Sequence, residues 1–356
     1  MGVESLIERA VARTLVDARE RGDEPATTQA RTADAHTAGS HAHLADPAVD
    51  AATATAGEAW VERRHGLSPG EFRERYLRPR RPVVLTDALR DWPALQQFSH
   101  AFFRERFGEL PVQVRGRTHR LADIIDQQLA SSAELPGPYP CTLAQCAPVL
   151  AQVTPRFACS LPSRHAHPLI PRRVFELVNH LEIFFGGSGG EFPRLHYDML
   201  RMHAWLAQVH GEKEVTLYEH GQEALLYVNP KLPWLSSVQD PRDFERHPLL
   251  RGARAHRIVL RAGEALFIPY GTWHTARCLG LNITVAFDQL EASNWRGFVA
   301  DVVAEQRRCG RRAQALLLGA YLRLLGPLLG IAERLGANRA TNWDATGSAA
   351  AACDDA

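Results

Sequence analysis

The stretch LHYDMLRMHAWLAQVHGEKEVTLYE, residues 195–219, decides the fold class. It contains three short apolar runs, and a glycine turn separates the last two. The runs cover 195–199, 204–211 and 213–219, and similar ones recur at 181–185, 256–260, 264–269, 272–278 and 282–287. Many short strands divided by Gly, Pro and Asn turns predict an antiparallel β sandwich or barrel.

Helical patterns flank this strand-rich region on both sides. Ser68-Pro69 is typical of an N-cap followed by Pro at the first helical position, which predicts a helix through Tyr76. The sequence also predicts strands over 83–85 and 111–114 and helices over 102–107 and 121–129. The expected fold class is therefore mainly β with flanking helices (α+β), extended by helices after Asn294.

The C-terminal extension contains AQALLLGAYLRLLGPLLGIA, residues 313–332, which approaches the length of a membrane span. Arg323 lies near its centre and Gly326-Pro327 follows, and both features disfavour a span. We therefore expect two short apolar helices and no membrane partner. They would pack on the barrel or form a homodimer interface, because they would otherwise expose a large apolar patch.

Composition shifts along the chain predict four regions. Residues 1–58 comprise a short amphipathic helix within 1–22 and a disordered, low-complexity segment. The main domain covers 59–293 with its core at about 180–290, and the helical extension covers 294–336. Residues 337–356 are small and polar, and we expect them to be disordered.

Charge, cysteine content and the N-terminal sequence restrict the expected partners and cellular location. The 356 residues carry 41 basic and 40 acidic side chains, and the net charge of +1 gives no electrostatic argument for a nucleic-acid partner. The six cysteines contain no CxxC pair and read as reduced thiols. The charged N-terminus lacks an apolar signal region, so we expect a cytoplasmic location.

His196 and Asp198 are the first candidate metal ligands. On a strand, residues two apart point to the same face, so both side chains could reach one ion. Two other pairs, His180-Leu181-Glu182 and His210-Gly211-Glu212, have the related His-x-Glu spacing. The second straddles a turn, where the alternation argument fails, while spacing alone leaves the first open.

His274 is the third candidate ligand. It follows an apolar strand and a Pro269-Tyr270-Gly271 turn in the segment RAGEALFIPYGTWHTARCL. Two imidazoles and one carboxylate from different strands occupy one face of an octahedral ion and leave three positions open. That arrangement suits Fe(II) chemistry with O2 and a chelating co-substrate.

Several motifs, in this order, resemble the JmjC/cupin-like family of Fe(II)- and 2-oxoglutarate-dependent dioxygenases. They are RPVVLTDALRDWPAL, the stretch 195–219, SVQDPRDFERHPLL, GEALFIPYGTWHTA and NITVAFDQLEASNW, which together span roughly residues 72–298. The resemblance implies a double-stranded β-helix (jelly-roll or cupin barrel). It also implies that His196, Asp198 and His274 are the catalytic metal ligands, with Fe(II), 2-oxoglutarate and O2 as cofactors.

The resemblance further implies a binding site for the co-substrate. The family commonly places a lysine after the hairpin that follows the HxD pair, and Lys213, one of two lysines in the chain, stands there. Thr284 in the last strand and Tyr139 in PGPYPC are further candidate contacts to the 2-oxoglutarate carboxylate. Many relatives differ at Pro193-Arg194-Leu195 and at Ala286, which affects this pocket but leaves the triad intact.

The implied activity is hydroxylation of an unactivated C–H bond, and the resemblance favours a peptide or protein side chain as the substrate. Three alternatives stay open. They are a small-molecule natural-product hydroxylase, a metal cupin enzyme independent of 2-oxoglutarate, and a non-catalytic cupin-like binding module or dimerising scaffold. A complete triad together with Lys213 argues against the last of these.

Overall fold

The structure is a computed structural model that describes residues 59–143 and 181–335, together with Arg164, His167, Leu169 and Ile170. The predicted helix within 1–22 and the predicted disordered segments, 23–57 and 337–356, lie outside the described residues. His180 also lies outside them.

The N-terminal part supplies short elements that cover one side of the fold. Its first helix begins at the N-cap Ser68, whose side chain accepts from the Glu71 backbone N–H, and continues as a π-helical turn, Arg73–Leu77. The elements are β1 Glu62–Arg64, α1 Pro69–Phe72, β2 Val83–Leu85, α2 Ala94–Gln97, α3 His100–Phe107, β3 Pro111–Val114, β4 Arg117–Arg120, α4 Leu121–Leu129 and β5 Cys141–Leu143. The predicted strands and helices of this part are confirmed, with bounds shifted by two residues or fewer.

The C-terminal part supplies most of the sheet and two long helices. Its elements are β6 Leu181–Gly186, β7 His203–His210, β8 Glu212–Tyr218, β9 Ala255–Arg261, β10 Ala265–Ile268, β11 His274–Cys278, β12 Asn282–Gln289, α5 Trp295–Arg308 and α6 Arg312–Arg334. A seven-stranded sheet has the order β1-β2-β10-β7-β12-β6-β5, and a three-stranded sheet has the order β11-β8-β9. Strands β3 and β4 form a separate hairpin.

Alternation along the central strands separates two faces of the larger sheet. One face carries Trp205 and Val285, which pack with Phe72 and Phe103 of the N-terminal helices in the main hydrophobic core. The other face packs on the smaller sheet through a second apolar cluster that joins Ala204 and Leu266 to Val215 and Leu260. Residues at alternate positions of β6, β7 and β12 therefore face the space between the two sheets.

The predicted strand over 195–199 is wrong in extent. His196 alone forms bridges, one to Leu235 and one to His274, and Asp198 precedes a 3₁₀ turn, Met199–Arg201. Leu200 has a φ of 57°, a left-handed conformation that ends any strand. The chain turns there because it must leave the small-sheet edge at His196 and enter β7 of the larger sheet.

The prediction of two short helices within 313–332 is also wrong, because α6 runs unbroken through Pro327. Gly326 lies so close to α5 that a Cβ there would come within 2.3 Å of the Trp295 indole nitrogen. The Trp295 N–H donates to the Leu322 carbonyl (3.2 Å), which fastens the helix at the point where Pro327 removes one donor. Packing on α5 thus outweighs the local cost of the proline.

Helix α6 presents a second, exposed apolar face. By length and composition alone it could cross a membrane, and 33% of its most apolar window is buried inside the protein. The exposed large side chains are Leu316, Leu317, Tyr321, Leu324, Leu328 and Ile331.

Candidate metal centre and co-substrate pocket

The backbones of His196 and His274 are paired directly. The His196 N–H donates to the His274 carbonyl (3.1 Å), and the His274 N–H donates back to the His196 carbonyl (2.7 Å). This exchange places the two residues opposite each other, and their ring centroids lie 4.5 Å apart. Strand pairing therefore brings together two side chains that are 78 positions apart in the sequence.

Both imidazoles are oriented by a hydrogen bond to the backbone carbonyl two residues earlier in the sequence. The Nδ1 atom of His196 lies 3.0 Å from the Arg194 carbonyl, and the Nδ1 atom of His274 lies 3.0 Å from the Thr272 carbonyl. A carbonyl can only accept, so each Nδ1 carries the proton and each Nε2 keeps its lone pair. A stacked Phe192 ring, with its centroid 4.4 Å from that of His196, further fixes the first imidazole.

Asp198 completes a group of three ligand atoms. One ligand atom from each of His196, Asp198 and His274 lies within 4.8 Å of the other two, and the Asp198 Oδ2 lies 4.0 Å from the His274 Nε2. Both histidines are buried, whereas 21% of the Asp198 side chain is exposed. Two neutral imidazole nitrogens and one carboxylate fit a divalent first-row metal, and such a triad is the donor set of non-haem Fe(II) oxygenases.

Burial and neighbouring charges shift the pKa values of two of the three ligand side chains. Burial lowers the pKa of His196 well below its usual value, and the nearby His274 lowers it further. Burial also raises the pKa of the Asp198 carboxyl, with His274 opposing the rise. Neutral imidazole is the form that binds a metal, and a bound divalent cation would offset the cost of the partly buried carboxylate.

The triad opens into a cavity between the two sheets. The cavity encloses about 910 Å³ of space between protein atoms, including its opening to solvent. Its walls are largely apolar and aromatic, as expected of a small-molecule or side-chain binding site. The lining residues are Tyr139, Glu182, Phe184, Phe192, His196, Tyr197, Asp198, Met199, Ala204, Leu206, Lys213, Trp234, His274, Ala276, Ala286, Phe287 and Asp288.

Lys213 lies in the same cavity and is 1% exposed. Its Nζ donates to the Tyr139 hydroxyl (3.0 Å) and to the Thr284 hydroxyl (2.7 Å). Burial lowers the pKa of Lys213 to about 8. The structure therefore brings together all three residues predicted to bind the co-substrate, around one desolvated ammonium group. Their roles towards 2-oxoglutarate stay predictions.

Two further residues of this cavity region, Gln208 and Asp288, were not predicted as parts of the site, and Glu182 was predicted only as a possible metal ligand. Gln208 is fully buried and accepts from the Thr284 hydroxyl (2.7 Å). Glu182 and Asp288 line the cavity near the triad. A signal was present for Gln208 and Asp288, since each is a polar residue within or directly after an apolar strand, in AWLAQVHG and NITVAFDQ.

The competing His-x-Glu pairs do not join the triad. His210 is exposed at the end of β7, and Gly211 after it has a φ of 68°, which confirms the predicted turn. Glu182 faces the cavity from β6, but the ligand group found among the described residues consists of His196, Asp198 and His274.

The two sheets, the flanking helices and the His-Asp-His group define a cupin-like domain with a candidate metal centre. Comparison with known proteins agrees: residues 144–287 match the family described as "Cupin-like domain". This match supports the predicted resemblance to the JmjC/cupin-like family. The predicted mainly β fold class with a C-terminal helical extension is thereby confirmed.

Three curated relatives show how far the similarity reaches. Lysine-specific demethylase JMJ30 of Arabidopsis thaliana is 29% identical over 237 residues, 64% of this chain and 54% of that protein. Lysine-specific demethylase 8 of Xenopus tropicalis is 27% identical over 255 residues, 68% of this chain and 54% of that protein. Arginine-specific demethylase JMJ22 of Arabidopsis thaliana is 23% identical over 257 residues, 66% of this chain and 47% of that protein. The chain spans about half the length of these relatives.

Proposed function

We propose that this protein is an Fe(II)- and 2-oxoglutarate-dependent oxygenase that oxidises a C–H bond of a peptide or protein side chain. The observation that supports the proposal most strongly is that the His196, Asp198 and His274 group and the buried Lys213 share one cavity. A metal triad alone fits many cupins, whereas a desolvated ammonium group in the same cavity fits a co-substrate with a second, distal carboxylate.

The proposed reaction balances without any other reductant. 2-Oxoglutarate, O2 and R–H give succinate, CO2 and R–OH, with one oxygen atom of O2 in succinate and the other in the product. A ferrous ion held by the triad would supply the open coordination positions and the oxidising power for this chemistry.

The chain's own residues supply geometry and electrostatics. The Arg194 and Thr272 carbonyls keep the Nε2 lone pairs of the two histidines directed at the metal position. Asp198 adds a negative charge, which favours binding of a divalent cation at the metal position. Lys213 would pair with the far carboxylate of 2-oxoglutarate, and the aromatic walls would exclude water from the reacting atoms.

The cavity also favours a basic side chain as the substrate. Glu182 pairs in register with Ala286, and Asp288 stands two residues further along the same face of β12, so both carboxyls point into the cavity. Burial raises the pKa of Asp288 well above its usual range, and the charges of Asp198 and Glu182 raise it further. An incoming cation would relieve this repulsion. Relatives named as lysine- and arginine-specific demethylases agree with such a substrate.

Hydroxylation is the reaction we propose rather than demethylation as such. The two share their first step, since oxidation of an N-methyl group gives a hydroxymethyl amine that releases formaldehyde. The nature of the C–H bond placed near the metal, and not the triad, would decide between the two outcomes.

The proposed function also includes a cellular location and an oligomeric state. We propose a cytoplasmic enzyme that forms a homodimer through the exposed face of α6, where six large apolar side chains would otherwise contact water. Neither a nucleic acid nor a membrane is part of the proposed assembly.

A succinate-release assay with Fe(II), 2-oxoglutarate and a library of Lys- and Arg-containing peptides tests the proposal, with mass spectrometry for a +16 Da product. Succinate release that depends on a peptide supports it. Metal binding without any succinate release would instead favour a cupin-like binding module. Metal-dependent turnover that is insensitive to the 2-oxoglutarate mimic N-oxalylglycine would favour a 2-oxoglutarate-independent enzyme, and turnover of small molecules alone would favour a natural-product hydroxylase.

A further inference from the structure

A buried chain of hydrogen bonds runs from the backbone of β7 to the ammonium group of Lys213. The Gln208 Nε2 donates to the His210 carbonyl (2.8 Å), the Thr284 hydroxyl donates to the Gln208 Oε1 (2.7 Å), and the Lys213 Nζ donates to the Thr284 Oγ1 (2.7 Å). Gln208 and Thr284 are fully buried, and Lys213 is 1% exposed. Three strands from both sheets, β7, β12 and β8, contribute one residue each.

The direction of every bond in this chain is fixed by its two ends. The His210 carbonyl can only accept, so the Gln208 amide must turn its NH2 towards it and its oxygen towards Thr284. At the other end the Lys213 ammonium can only donate, so the Thr284 oxygen must accept from it. The single hydroxyl proton of Thr284 is therefore committed to Gln208.

Gln208 thus determines whether the Thr284 hydroxyl acts as a hydrogen-bond donor or acceptor towards the cavity. With its proton bound to Gln208, Thr284 presents a lone pair to Lys213 and has no proton to donate to a carboxylate. Tyr139 differs, because its hydroxyl also accepts from Lys213 but its own proton must point away from the ammonium group. An ammonium group has three donors, and two of those of Lys213 are held by these hydroxyls.

We infer that Gln208 is a positioning residue for the co-substrate, acting through Thr284 to aim the third N–H of Lys213 at a small dicarboxylate. This inference rests on the proposed function, because the dicarboxylate is 2-oxoglutarate. It also revises the role expected for Thr284: that residue holds the lysine, and Lys213 receives the far carboxylate.

We call the hydrogen-bonded series from the His210 carbonyl through Gln208 and Thr284 to Lys213 the relay. Because the protein contains only two lysines, the effect of the relay on Lys213 can be measured directly. In protein labelled with ¹³C,¹⁵N-lysine, only Lys213 and Lys231 give side-chain signals, and a Lys231→Arg variant assigns the Lys213 signal by elimination. The titration midpoint of Lys213 can then be followed in metal-free protein, where no catalysis is required. Among the described residues, Tyr139 donates no charge but contacts the Lys213 ammonium group, and Cys278 is the titratable group that affects its pKa; neither is changed in the test.

The variants are Gln208→Leu, Thr284→Val and the conservative Thr284→Ser. We expect Gln208→Leu and Thr284→Val each to lower the Lys213 midpoint by roughly one pH unit, because the buried ammonium group loses an oriented acceptor. Thr284→Ser should behave as the wild type. The double variant should shift the midpoint no further than Thr284→Val alone, since both residues act in one relay.

Binding of 2-oxoglutarate to zinc-loaded protein, measured by calorimetry, gives the second measurement. We expect the Kd to rise about 5- to 10-fold in Gln208→Leu and Thr284→Val, while the KM rises and kcat stays near the wild-type value in the iron-loaded enzyme. An unchanged Lys213 midpoint and an unchanged Kd in Gln208→Leu would overturn the inference. If Gln208→Leu does not fold, Thr284→Val decides the result alone.

The outcomes also separate this inference from the proposed function. A shifted Lys213 midpoint with an unchanged Kd for 2-oxoglutarate would overturn the role of the relay in co-substrate binding, although the hydrogen bonds would be real. A shifted midpoint and a raised Kd in a protein that never releases succinate would support the relay and contradict the oxygenase activity.

Discussion

The two histidines of the candidate metal centre, His196 and His274, exchange both of their backbone hydrogen bonds, at 3.1 and 2.7 Å. Their imidazoles therefore stay adjacent whatever occupies the site, since the backbone and not the metal sets the distance between them. Asp198, by contrast, precedes a 3₁₀ turn and is partly exposed. The site thus consists of a rigid histidine pair and a more adaptable carboxylate.

This difference predicts unequal effects of removing single ligands. We expect His274→Ala to reduce bound iron from about one ion per chain to near zero, because it removes one half of the rigid pair. The Asp198→Glu variant should retain part of the metal, since its longer carboxylate can still reach the ion. Metal content after anaerobic loading with Fe(II) measures both effects. As a control, His119→Ala alters a histidine of the β3–β4 hairpin and should retain the full amount.

We expect the buried Lys213 to lower the stability of the folded protein while enabling it to bind 2-oxoglutarate. Burial lowers the pKa of Lys213 from 10.5 to about 8, so at pH 7 the folded protein holds a desolvated ammonium group. We expect Lys213→Met to stabilise the metal-free protein by about 1–3 kcal/mol at pH 7, because each unit of pKa shift corresponds to about 1.4 kcal/mol. The same variant should lose binding of 2-oxoglutarate.

The sign of the pH dependence follows from the lowered pKa. Below pH 8 both folded and unfolded chains carry the proton, so the cost of burying the charge is complete. As the pH rises from about 8 to about 10.5, the folded state loses its proton first and the cost disappears. The stability gain of Lys213→Met should therefore shrink over that range in urea unfolding. A gain that is the same at pH 7 and pH 10 would contradict the assignment.

The acidic lining of the cavity predicts selection for substrate charge. We expect Asp288→Asn and Glu182→Gln to lower kcat/KM for a basic peptide at least 10-fold, since a buried cation loses a charged partner. The preference for the basic peptide over a neutral analogue should fall by the same factor. Glu212→Gln, which alters a half-exposed carboxylate at the start of β8, is the matched control. An equal decrease in kcat/KM for the basic and neutral peptides would show that the carboxyls do not distinguish charged from neutral substrates.

The exposed face of α6 predicts a homodimer. Leu324 is 73% exposed and Leu328 is 60% exposed, and both lie on the face turned away from α5. We expect the wild type to elute as a dimer in light-scattering chromatography, and Leu324→Glu with Leu328→Glu to give a folded monomer. Leu135→Glu, at a 70% exposed position before β5, should leave the dimer intact. A wild-type monomer at all concentrations would remove the basis of this proposal.

The sequence was sufficient for the elements that depend on local pattern. Short apolar runs bounded by turn residues predicted β7, β8, β9 and β12 with bounds close to those observed. The motif order also predicted which distant residues would meet. The grouping of Lys213, Thr284 and Tyr139 was predicted from resemblance, and the residues do lie within hydrogen-bonding distance.

The failures of prediction have tertiary causes. The region over 195–199 has strand-like alternation, but the chain must cross from one sheet to the other, so Leu200 and Arg201 adopt left-handed conformations. Helix α6 passes through Pro327 because contact between Gly326 and Trp295 outweighs the lost hydrogen bond. Gln208 was missed because its role depends on cross-strand register, which a single strand's sequence does not contain.

The central claim is that one ion held by His196, Asp198 and His274 couples the decay of 2-oxoglutarate to oxidation of a substrate. The most direct test compares wild type with Asp198→Ala in one reaction that contains Fe(II), O2, 2-oxoglutarate and a peptide substrate of the wild type. We predict succinate and the +16 Da product in equal amounts from the wild type and neither from Asp198→Ala. Coupled formation of both products by the purified variant would contradict the account.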